Sequence, residues 1–577
     1  TRSRILNQNG DVGGTGGISI DTGNLILTNT GRIFSDTFFS PTPSESPKVS
    51  IHADDSVTLS EASEIRVINF ASDVGGLELS AKTVSLDNLS AISTFTFGEG
   101  RGGNLSVIAD DLNLAGGSQI ISSSLQGIGS AGDISINVSD KVRLTGSAVN
   151  ESGQNMSSGV FTSTTGDFDD PIFTGDAGRI DISANRVEVL DGARIDTSSN
   201  FFALGNGGEI SITALSVLTS GGTISTSTEY AGNAGSIGIK TDNLTVNHGG
   251  QLTSSSKMRL PLFEGDEVLP PTGNAGTVSI QGLASSAQSV LIDGPGSGIF
   301  TNTQGAGAGG NILIETSQST TLTNGAAISA SSTGTIDDAG DAGMVTIHAG
   351  NTFFMQDSSV TTQATKSGGG QIEINASDLF QLVNSRVSSS VLDGTGGGGD
   401  INIDPNLVVL QNSSQILAQA IQGTGGNITI TTPLFLSDQS SLVSASSQFG
   451  LNGTVTIQSP TSNLSGSLGP LTSKPSQAQS LLTQRCAALA NGQASSFVVA
   501  GREQLPADPG GWLTSQLAFA GLDADPYKDG TVADSTSNFV PRTSGLLANG
   551  RVSLRRLTPT RFLMANFADS EATGCHS

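Results

Sequence analysis

Gly425–Ile430 reads GGNITI, a unit that recurs along most of the chain. A pair of small residues and one variable residue are followed by two apolar residues that flank another variable one. Other copies are GGLEL at Gly75, GGNLSV at Gly102, AGDISI at Ala131, GGEISI at Gly207, GGNILI at Gly309, GGQIEI at Gly369 and GGDINI at Gly398. The first apolar residues of the last four copies, Ile372, Ile401, Ile428 and Val455, are spaced by 29, 27 and 27 residues. A steady period of this size is typical of a repeat architecture.

Each period carries three strand signals. After GGNITI, Leu434 and Leu436 alternate with Phe435, and LVSAS follows at Leu442–Ser446 after a polar turn. Side chains alternate between the two faces of a strand, so the aliphatic residues of each signal share one face. Gly, Asn, Asp and Ser separate the signals, as turns require. We therefore expect an all-β chain wound as a three-sided, right-handed parallel β-helix (a β-solenoid).

The turns of such a solenoid must stack to be stable. Burying one aliphatic side chain contributes roughly 1.5–3 kcal/mol. One turn buries too few of them to offset its chain entropy, so neighbouring turns must share a core. Because adjacent strands lie about 4.8 Å apart, fifteen turns predict a rod about 70 Å long.

The sequence divides into three parts. Residues 1–459 carry the repeats of about 27–30 residues, and residues 460–475 form a Ser-, Pro- and Gly-rich linker. Residues 476–577 are predicted to hold a capping helix and a tail. In that helix, Ser476–Asn491, one face carries Ala478, Leu481, Leu482, Cys486 and Leu489. We expect this face to cover the open end of the solenoid, where strand edges need protection.

The two cysteines, Cys486 and Cys575, both lie in this last part. They form a possible disulfide in an oxidising compartment, although the sequence leaves the pairing open.

Two periods are longer than the rest. They hold insertions near 151–173 and 257–271. In repeat proteins such insertions become external loops, so we expect either binding loops or neutral decoration at these places.

The net charge of −25 and the pI of about 4.3 limit the partners. Nucleic acid is excluded, since phosphate contacts need clustered Lys and Arg. The acidity is typical of a soluble extracellular surface and also suits loose binding of divalent cations. No apolar run is long enough to span a bilayer.

No catalytic, cofactor-binding or metal-binding residues are predicted. His52 and His348 should point outward about ten turns apart, and His248 and His576 complete the set of histidines. The paired carboxylates at Asp54–Asp55, Asp110–Asp111, Asp169–Asp170 and Asp337–Asp338 are expected mostly at turns, where Asp bonds to the local backbone. No Lys- or Arg-linked acidic column is evident.

Calcium is the one cofactor that the sequence leaves open. Asp523, Asp525 and Asp529 in DADPYKDG lack the glycine and glutamate of a helix–loop–helix calcium site. GGGGDINID at Gly396–Asp404 is similar to a calcium-binding nonapeptide repeat but occurs once. No cofactor is therefore predicted, and calcium stays open only as a weak alternative.

Two stretches resemble a known family. The repeats, such as GGNITITTPLFLSDQSSLVSASS at Gly425–Ser447, and the block RCAALANGQASSFVVAGREQLPADP at Arg485–Pro509 are similar to the filamentous haemagglutinin-like exoproteins of two-partner secretion. The similarity is to the C-terminal portion of the cyanobacterial type. It implies secretion through a dedicated β-barrel partner in the outer membrane, and a rod-like adhesin at the cell surface.

The same family carries an N-terminal secretion domain ahead of its repeats. Its Asn-Pro-Asn-Gly motif has no counterpart here, since Asn7–Gly10 reads NQNG. Under this resemblance, either the chain is a C-terminal fragment that lacks this domain or it cannot be exported alone, and the sequence leaves both alternatives open.

Three functions follow as hypotheses. The first is a secreted or cell-surface rod that mediates attachment to surface glycans or cell-surface proteins and is not an enzyme. The second is a polysaccharide lyase or hydrolase on the same scaffold, since many β-helices cleave polysaccharides. The third is a passive spacer that displays the C-terminal tail.

Overall fold

The computed structural model describes residues 4–9, 17–37, 48–70, 73–166, 175–200, 203–258 and 270–460. Within these ranges the chain is all-β, and its parallel strands stack turn upon turn as a β-solenoid. The predicted fold class is confirmed, while the right-handed winding stays a prediction. The capping helix, the tail, Cys486 and Cys575 lie outside the described residues, as does nearly all of the predicted linker.

One face of the solenoid is a continuous sheet of fifteen parallel strands, called sheet A. Its strands are β1 (Arg4–Asn9), β3 (Arg32–Thr37), β5 (Glu64–Asn69), β8 (Ala91–Phe97), β10 (Gln119–Leu125), β14 (Gly159–Thr165), β16 (Arg194–Asn200), β18 (Thr223–Thr228), β20 (Gln251–Ser256), β23 (Gly298–Thr303), β25 (Ala327–Ser329), β28 (Ser359–Thr361), β30 (Arg386–Ser388), β32 (Gln415–Leu417) and β35 (Leu442–Ser444). Each strand pairs only with the strands of the adjoining turns, which is the defining feature of a solenoid.

The remaining parallel strands form sheet B, which covers the other two sides. They are β2 (Ile18–Leu27), β4 (Val49–Leu59), β6 (Leu77–Ser80), β7 (Thr83–Leu86), β9 (Leu105–Ala115), β11 (Ile134–Thr145), β15 (Ile180–Leu190), β17 (Ile210–Ser220), β19 (Ile237–Asn247), β21 (Val278–Gln281), β22 (Ala287–Asp293), β24 (Ile312–Thr323), β26 (Val345–Ala349), β27 (Thr352–Gln356), β29 (Ile372–Val383), β31 (Ile401–Gln411), β33 (Ile428–Thr431), β34 (Leu434–Ser437) and β36 (Val455–Gln458).

The prediction of three separate strands per turn is therefore wrong for most turns. The first two strand signals usually join into one long strand, such as β11, that bends in its middle. Shifts of the pairing register, for example between Val138 and Lys141, mark the bend. Such an irregularity re-aims a strand without ending it. Elsewhere, as at β6 and β7, the two signals do form separate strands.

The core consists of columns of aliphatic side chains at equal register. Ile312, Val345, Ile372, Ile401 and Ile428 follow one another along one column and are at most 1% exposed. In the late turns, aromatic residues also occupy core positions, in the strand segments that follow the bend. The rings of Phe353 and Phe380 stack with their centroids 5.4 Å apart. The aliphatic alternation read from the sequence thus places the core correctly in most turns, but it is wrong at β34, where Phe435 faces the core and Leu434 and Leu436 face outward.

The small pair of the repeat is explained by backbone contact between turns. A Cβ on Gly310 would overlap the carbonyl oxygen of Gly276 in the neighbouring turn. The Gly310 carbonyl in turn accepts a hydrogen bond of 2.7 Å from the buried Thr301 hydroxyl of sheet A. Glycine permits the close approach of the two backbones. The threonine hydroxyl supplies the hydrogen bond that the Gly310 carbonyl does not receive from strand pairing.

The first predicted insertion is partly regular structure. An antiparallel hairpin of β12 (Ser147–Val149) and β13 (Asn155–Ser157) interrupts this turn. Gly159–Thr165, however, is the sheet A strand β14 and pairs with both neighbouring turns. The expectation of a loop over 151–173 is wrong at that strand, because its Val160 faces the core. Most of the second insertion, residues 259–269, lies outside the described residues.

Candidate functional site

Two separate hollows lie along the bend of sheet B, and we call the line of the bend that joins them the groove. Its floor is a column of small residues at equal register, including Ala53, Ala109, Ala214, Ala349 and Ala376, which are 1–6% exposed. The outward residues on each side of this column form the groove walls. Because the bend recurs at every turn, the groove has one wall position per about 4.8 Å.

The groove widens into a hollow of about 360 Å³ near its N-terminal end, called the N-terminal hollow. Four successive turns, carried by β4, β6–β7, β9 and β11, line it. The wall side chains are His52, Asp54, Ser80, Lys82, Ile108, Asp110, Asn137 and Ser139. Ile108 is 54% exposed and is the one large apolar side chain among them.

Several of these polar groups are held by hydrogen bonds between turns. The His52 Nδ1 lies 2.8 Å from the Ser80 Oγ, and the Ser139 hydroxyl donates to Asp110 Oδ1 at 2.7 Å. Such pairs between adjacent turns fix where the groups point. They leave the remaining donors and acceptors free to face a ligand.

Lys82 provides positive charge in this acidic hollow. Its Nζ lies 2.7 Å from Asp55 Oδ1 of the preceding turn. That hydrogen bond, and then the negative charge of Asp55, raises the pKa of Lys82. The ammonium therefore stays charged over the whole neutral range, beside the carboxylates of Asp54 and Asp110.

A second widening, the C-terminal hollow, has a volume of about 250 Å³. Its polar wall side chains are His348, Asn375, Ser377 and Asp404, and the buried Thr316 belongs to its floor. The imidazole of His348 faces a carboxylate on each side, because its Nδ1 lies 4.0 Å from Glu315 and its Nε2 4.0 Å from Glu373. His348 is 45% exposed, so the three groups are open to solvent.

Both carboxylates beside His348 are oriented by amide groups. The Gln281 Nε2 donates to Glu315 at 3.0 Å, and the Asn375 Nδ2 donates to Glu373 at 3.0 Å. An imidazole between two fixed carboxylates can bind a hydroxyl-rich ligand, and it is also the kind of group that general acid–base chemistry uses.

A third hollow of about 360 Å³ lies on another edge of the rod, between sheet B and sheet A. Turn residues line it, among them Asp357, Asn384 and Arg386. Hydrogen bonds from Asn384 and Gln356 lower the pKa of Asp357. Asp357 adopts a left-handed φ of 51°, so its role is explained by the turn itself.

Both outward histidines belong to one column of the groove wall. The column runs through His52, Ser80, Ile108, Asn137, Ser183, Thr213, Lys240, Gln281, Glu315 and His348. They are nine turns apart, on the order of 43 Å, which agrees with the prediction that they do not share a site. His248 sits in a left-handed turn, and His576 lies outside the described residues.

The carboxylate pairs are less uniform than predicted. Asp337–Asp338 does lie in a turn, but Asp54–Asp55 and Asp110–Asp111 lie inside strands β4 and β9, at the bend. Asp169–Asp170 lies outside the described residues. Lys82 also pairs with Asp55 of the preceding turn and lies in the same hollow as Asp110 of the following one, an arrangement that the sequence analysis missed.

Within the described ranges, no group of three or more His, Cys, Asp or Glu side chains could hold a metal ion. The calcium-like stretch at Gly396–Asp404 instead uses Asp400 to accept the backbone N–H of Asn427 at 2.7 Å. Among the same residues, no helix is both long and apolar enough to cross a membrane.

No protein-family model, curated protein or solved structure matches the chain. The residues of the groove are therefore the main guide to the function.

Proposed function

We propose that this chain is a secreted or cell-surface rod that mediates attachment, and that its groove binds a linear glycan. The observation that carries the proposal is the groove with its two hollows. One wall position follows another at a spacing close to the length of one sugar ring. A straight, hydroxyl-rich polymer can therefore meet the same kind of contact on successive turns.

The chemistry of the N-terminal hollow suits a sugar. Ile108 offers an apolar surface for the carbon–hydrogen face of a ring, while His52, Lys82 and Asn137 offer donors and Asp110 an acceptor. Pockets for small polar ligands commonly combine one apolar contact with a few placed polar groups. Charges of both signs favour a neutral or mixed-charge glycan over a strongly anionic one.

The proposal follows the family resemblance of the repeats and of Arg485–Pro509. Under it, the chain is exported by an outer-membrane partner and contacts glycans or proteins of a cell surface. Many weak contacts along a rod give useful avidity even where each hollow binds weakly.

Size-exclusion chromatography with fluorescent neutral and acidic polysaccharides tests this function. The proposal predicts that an intact polymer co-elutes with the purified chain. The triple variant His52→Ala/Lys82→Ala/Asn137→Ala should lose co-elution. The matched control Thr58→Ala/Ser85→Ala/Asn113→Ala changes three residues of one outward column that does not line the hollow, and it should retain co-elution. Loss in both variants, or in neither, contradicts the groove as the binding surface.

The C-terminal hollow favours a second candidate, a polysaccharide-cleaving enzyme. Here His348 or Glu373 would act as the acid or base on a glycosidic linkage. The same experiment separates the two, because an enzyme shortens the polymer with time and His348→Ala stops that shortening. Polymer of unchanged length argues for the attachment rod.

The spacer hypothesis is tested by removing Ser476–Ser577. If attachment survives in the truncated rod and depends on the groove, the tail is not the binding element. If attachment is lost with the tail while the groove variants bind normally, the spacer reading replaces the proposal.

A further inference from the structure

A column of buried hydroxyl groups runs along the inside of sheet A, and we call it the hydroxyl column. It takes one Ser or Thr at equal register from each of eight successive turns: Thr96, Ser124, Thr164, Ser199, Thr228, Ser256, Thr303 and Ser332. All eight residues are at most 1% exposed. Their side chains point inward because side chains alternate along a strand, and Thr228, for example, lies four residues after the core residue Ile224.

The eight hydroxyl oxygens have no hydrogen-bond partner among the described residues. A second inward column, two residues earlier on the same strands, behaves differently. Its threonines donate to glycine carbonyls at 2.6–2.7 Å, as seen at Thr94, Thr162, Thr197, Thr226 and Thr301. Two neighbouring columns of the same residue types thus differ, since one is paired within the protein and the other is not. Buried polar groups are nearly always paired, so the hydroxyl column calls for a ligand.

The column ends on both sides where the residue type changes. On the N-terminal side, Asn69 occupies the same register, and its amide donates to the Asp73 carbonyl at 3.0 Å. On the C-terminal side, the next residues in register are Ala364 and Val391, which are buried and have no polar side-chain atoms. The unpaired hydroxyls therefore form one continuous block, and a single cause common to its eight turns explains them best.

The spacing of the turns limits which groups can pair with these hydroxyls. Adjacent strands lie about 4.8 Å apart, so hydroxyls at equal register are too distant for a direct hydrogen bond of about 2.8 Å. An oxygen atom placed midway between two of them, about 1.4 Å to the side of the line that joins them, lies about 2.8 Å from both. A small ligand that both donates and accepts hydrogen bonds can therefore link each pair of neighbouring turns.

Water suits this position better than a metal cation does. The column consists of uncharged Ser and Thr side chains, so it offers no negative charge to compensate a buried cation. Buried waters occur about once per 27 residues and bridge two to four polar groups. One water between each two turns gives about that frequency, because the repeat is about 27–30 residues long.

We propose that the solenoid binds a single file of water molecules along the hydroxyl column. One water lies between each two neighbouring hydroxyls, for example between those of Ser199 and Thr228, which gives seven waters in all. The file extends over about 34 Å inside the rod. It forms a polar seam beside the aliphatic core, and it links turns through side chains in addition to the strand pairing. Ser and Thr are needed at these positions as water ligands.

A crystal structure of the full chain, at a resolution that shows ordered water, tests the proposal. It should show a density peak between each two neighbouring hydroxyls, about 2.8 Å from both oxygens. In the variant Thr228→Val, the two peaks next to residue 228 should disappear, while the peaks between Thr96 and Thr164 remain as the internal control. Hydroxyls that instead turn onto protein carbonyls, with no peak between them, would overturn the proposal. Peaks at about 2.4 Å would identify a metal cation and overturn it as well.

Hydrogen exchange gives an independent readout in solution. Thr228→Val replaces the hydroxyl by a methyl group and removes the ligand that two waters share. Amides of β16, β18 and β20 should therefore exchange about tenfold faster than in the unchanged protein. If the hydroxyl has no partner at all, its removal should slow exchange or leave it unchanged, and either result would overturn the proposal. Thr226→Val is the matched control on the same strand, since it loses its bond to the Gly235 carbonyl in both cases and should speed exchange.

Discussion

The inward columns and the groove walls of sheet B lie on the same strands, yet they obey different rules. Inward, Ile312, Val345 and Ile372 are near copies of one another, because each must fill the same space against its neighbour. On the wall, Glu315, His348 and Asn375 occupy equally strict register with three different chemistries. Only contact with solvent or a ligand limits a wall residue, so the walls are where this solenoid can acquire specificity.

The contrast gives a ranked set of predictions, most of them with an outward-facing residue as the control. Inward changes should cost stability and outward ones should not. Since a long solenoid does not unfold in a single step, local stability is best followed by hydrogen exchange of the affected turns.

The largest effect is expected at the glycine column. Gly310→Val places a side chain against the backbone of Gly276 and should destabilise the surrounding turns by more than about 3 kcal/mol. Gly238→Val is the control, because a Cβ there has its nearest neighbours at 3.8–4.0 Å. Equal loss of exchange protection in both variants would refute the close-packing explanation of the repeat.

A core cavity should follow in size. Phe380→Ala removes a ring that stacks on Phe353 and should cost about 3–5 kcal/mol. Gln381→Ala, on the opposite face of the same strand, loses one exposed hydrogen bond to Gln411 and should cost about 1 kcal/mol or less. Guanidinium unfolding monitored by exchange of β27, β29 and β31 measures both. A similar cost for the two variants would break the distinction between the faces.

The buried hydrogen bond from Thr301 to the Gly310 carbonyl should give an intermediate loss of stability. Thr301→Val leaves the Gly310 carbonyl without its partner and should cost about 1–3 kcal/mol. Thr321→Val, an outward change on β24, should be nearly neutral. Thermal melts and exchange of the turn that holds Gly310 check the pair. A neutral Thr301→Val would mean that another group satisfies this carbonyl.

The smallest expected change depends on pH. Burial raises the pKa of Glu64 above its ordinary value of 4.5, against the opposing charge of Arg66. The stability linked to this carboxyl is therefore present below pH 4.5 and is lost as pH rises through the folded pKa. Glu64→Gln should stabilise the N-terminal turns at pH 7, and the gain should vanish below pH 4.5. Melting curves of both proteins across this pH range test the prediction. A stabilisation by Glu64→Gln that increases toward acidic pH would contradict it.

The sequence predicted the features that recur in every repeat, and it missed the features that depend on contacts between neighbouring turns. The period and the alternation of Ile and Val were sufficient for the core, the stacking and the outward direction of His52 and His348. The continuous bent strands were missed because Gly, Asn and Asp signals indicate a turn equally well at a bend and at a strand end. Asp54–Asp55 was assigned to a turn for that reason.

The groove could not be predicted from single repeats, because it depends on how the strands of neighbouring turns align. Lys82 meets Asp55 although 27 residues separate them, and the pairing is visible only when the turns are aligned strand by strand. The outward column of Leu379, Leu407 and Leu434 was overlooked in the same way, since the three leucines appear as ordinary apolar residues of three separate strands. The insertion at 151–173 misled because the hairpin of β12 and β13 hid the regular strand that follows it.

Carboxyl footprinting with a bound polysaccharide tests the central claim most directly. The chain is labelled at its carboxylates with and without saturating polymer, and each site is quantified by mass spectrometry. Binding along the groove predicts protection of Asp54, Asp110 and Asp404, with no change at Glu61 and Asp393, which lie exposed in turns away from it. Protection confined to the turn residues, or spread evenly over both sets, would contradict a glycan-binding groove.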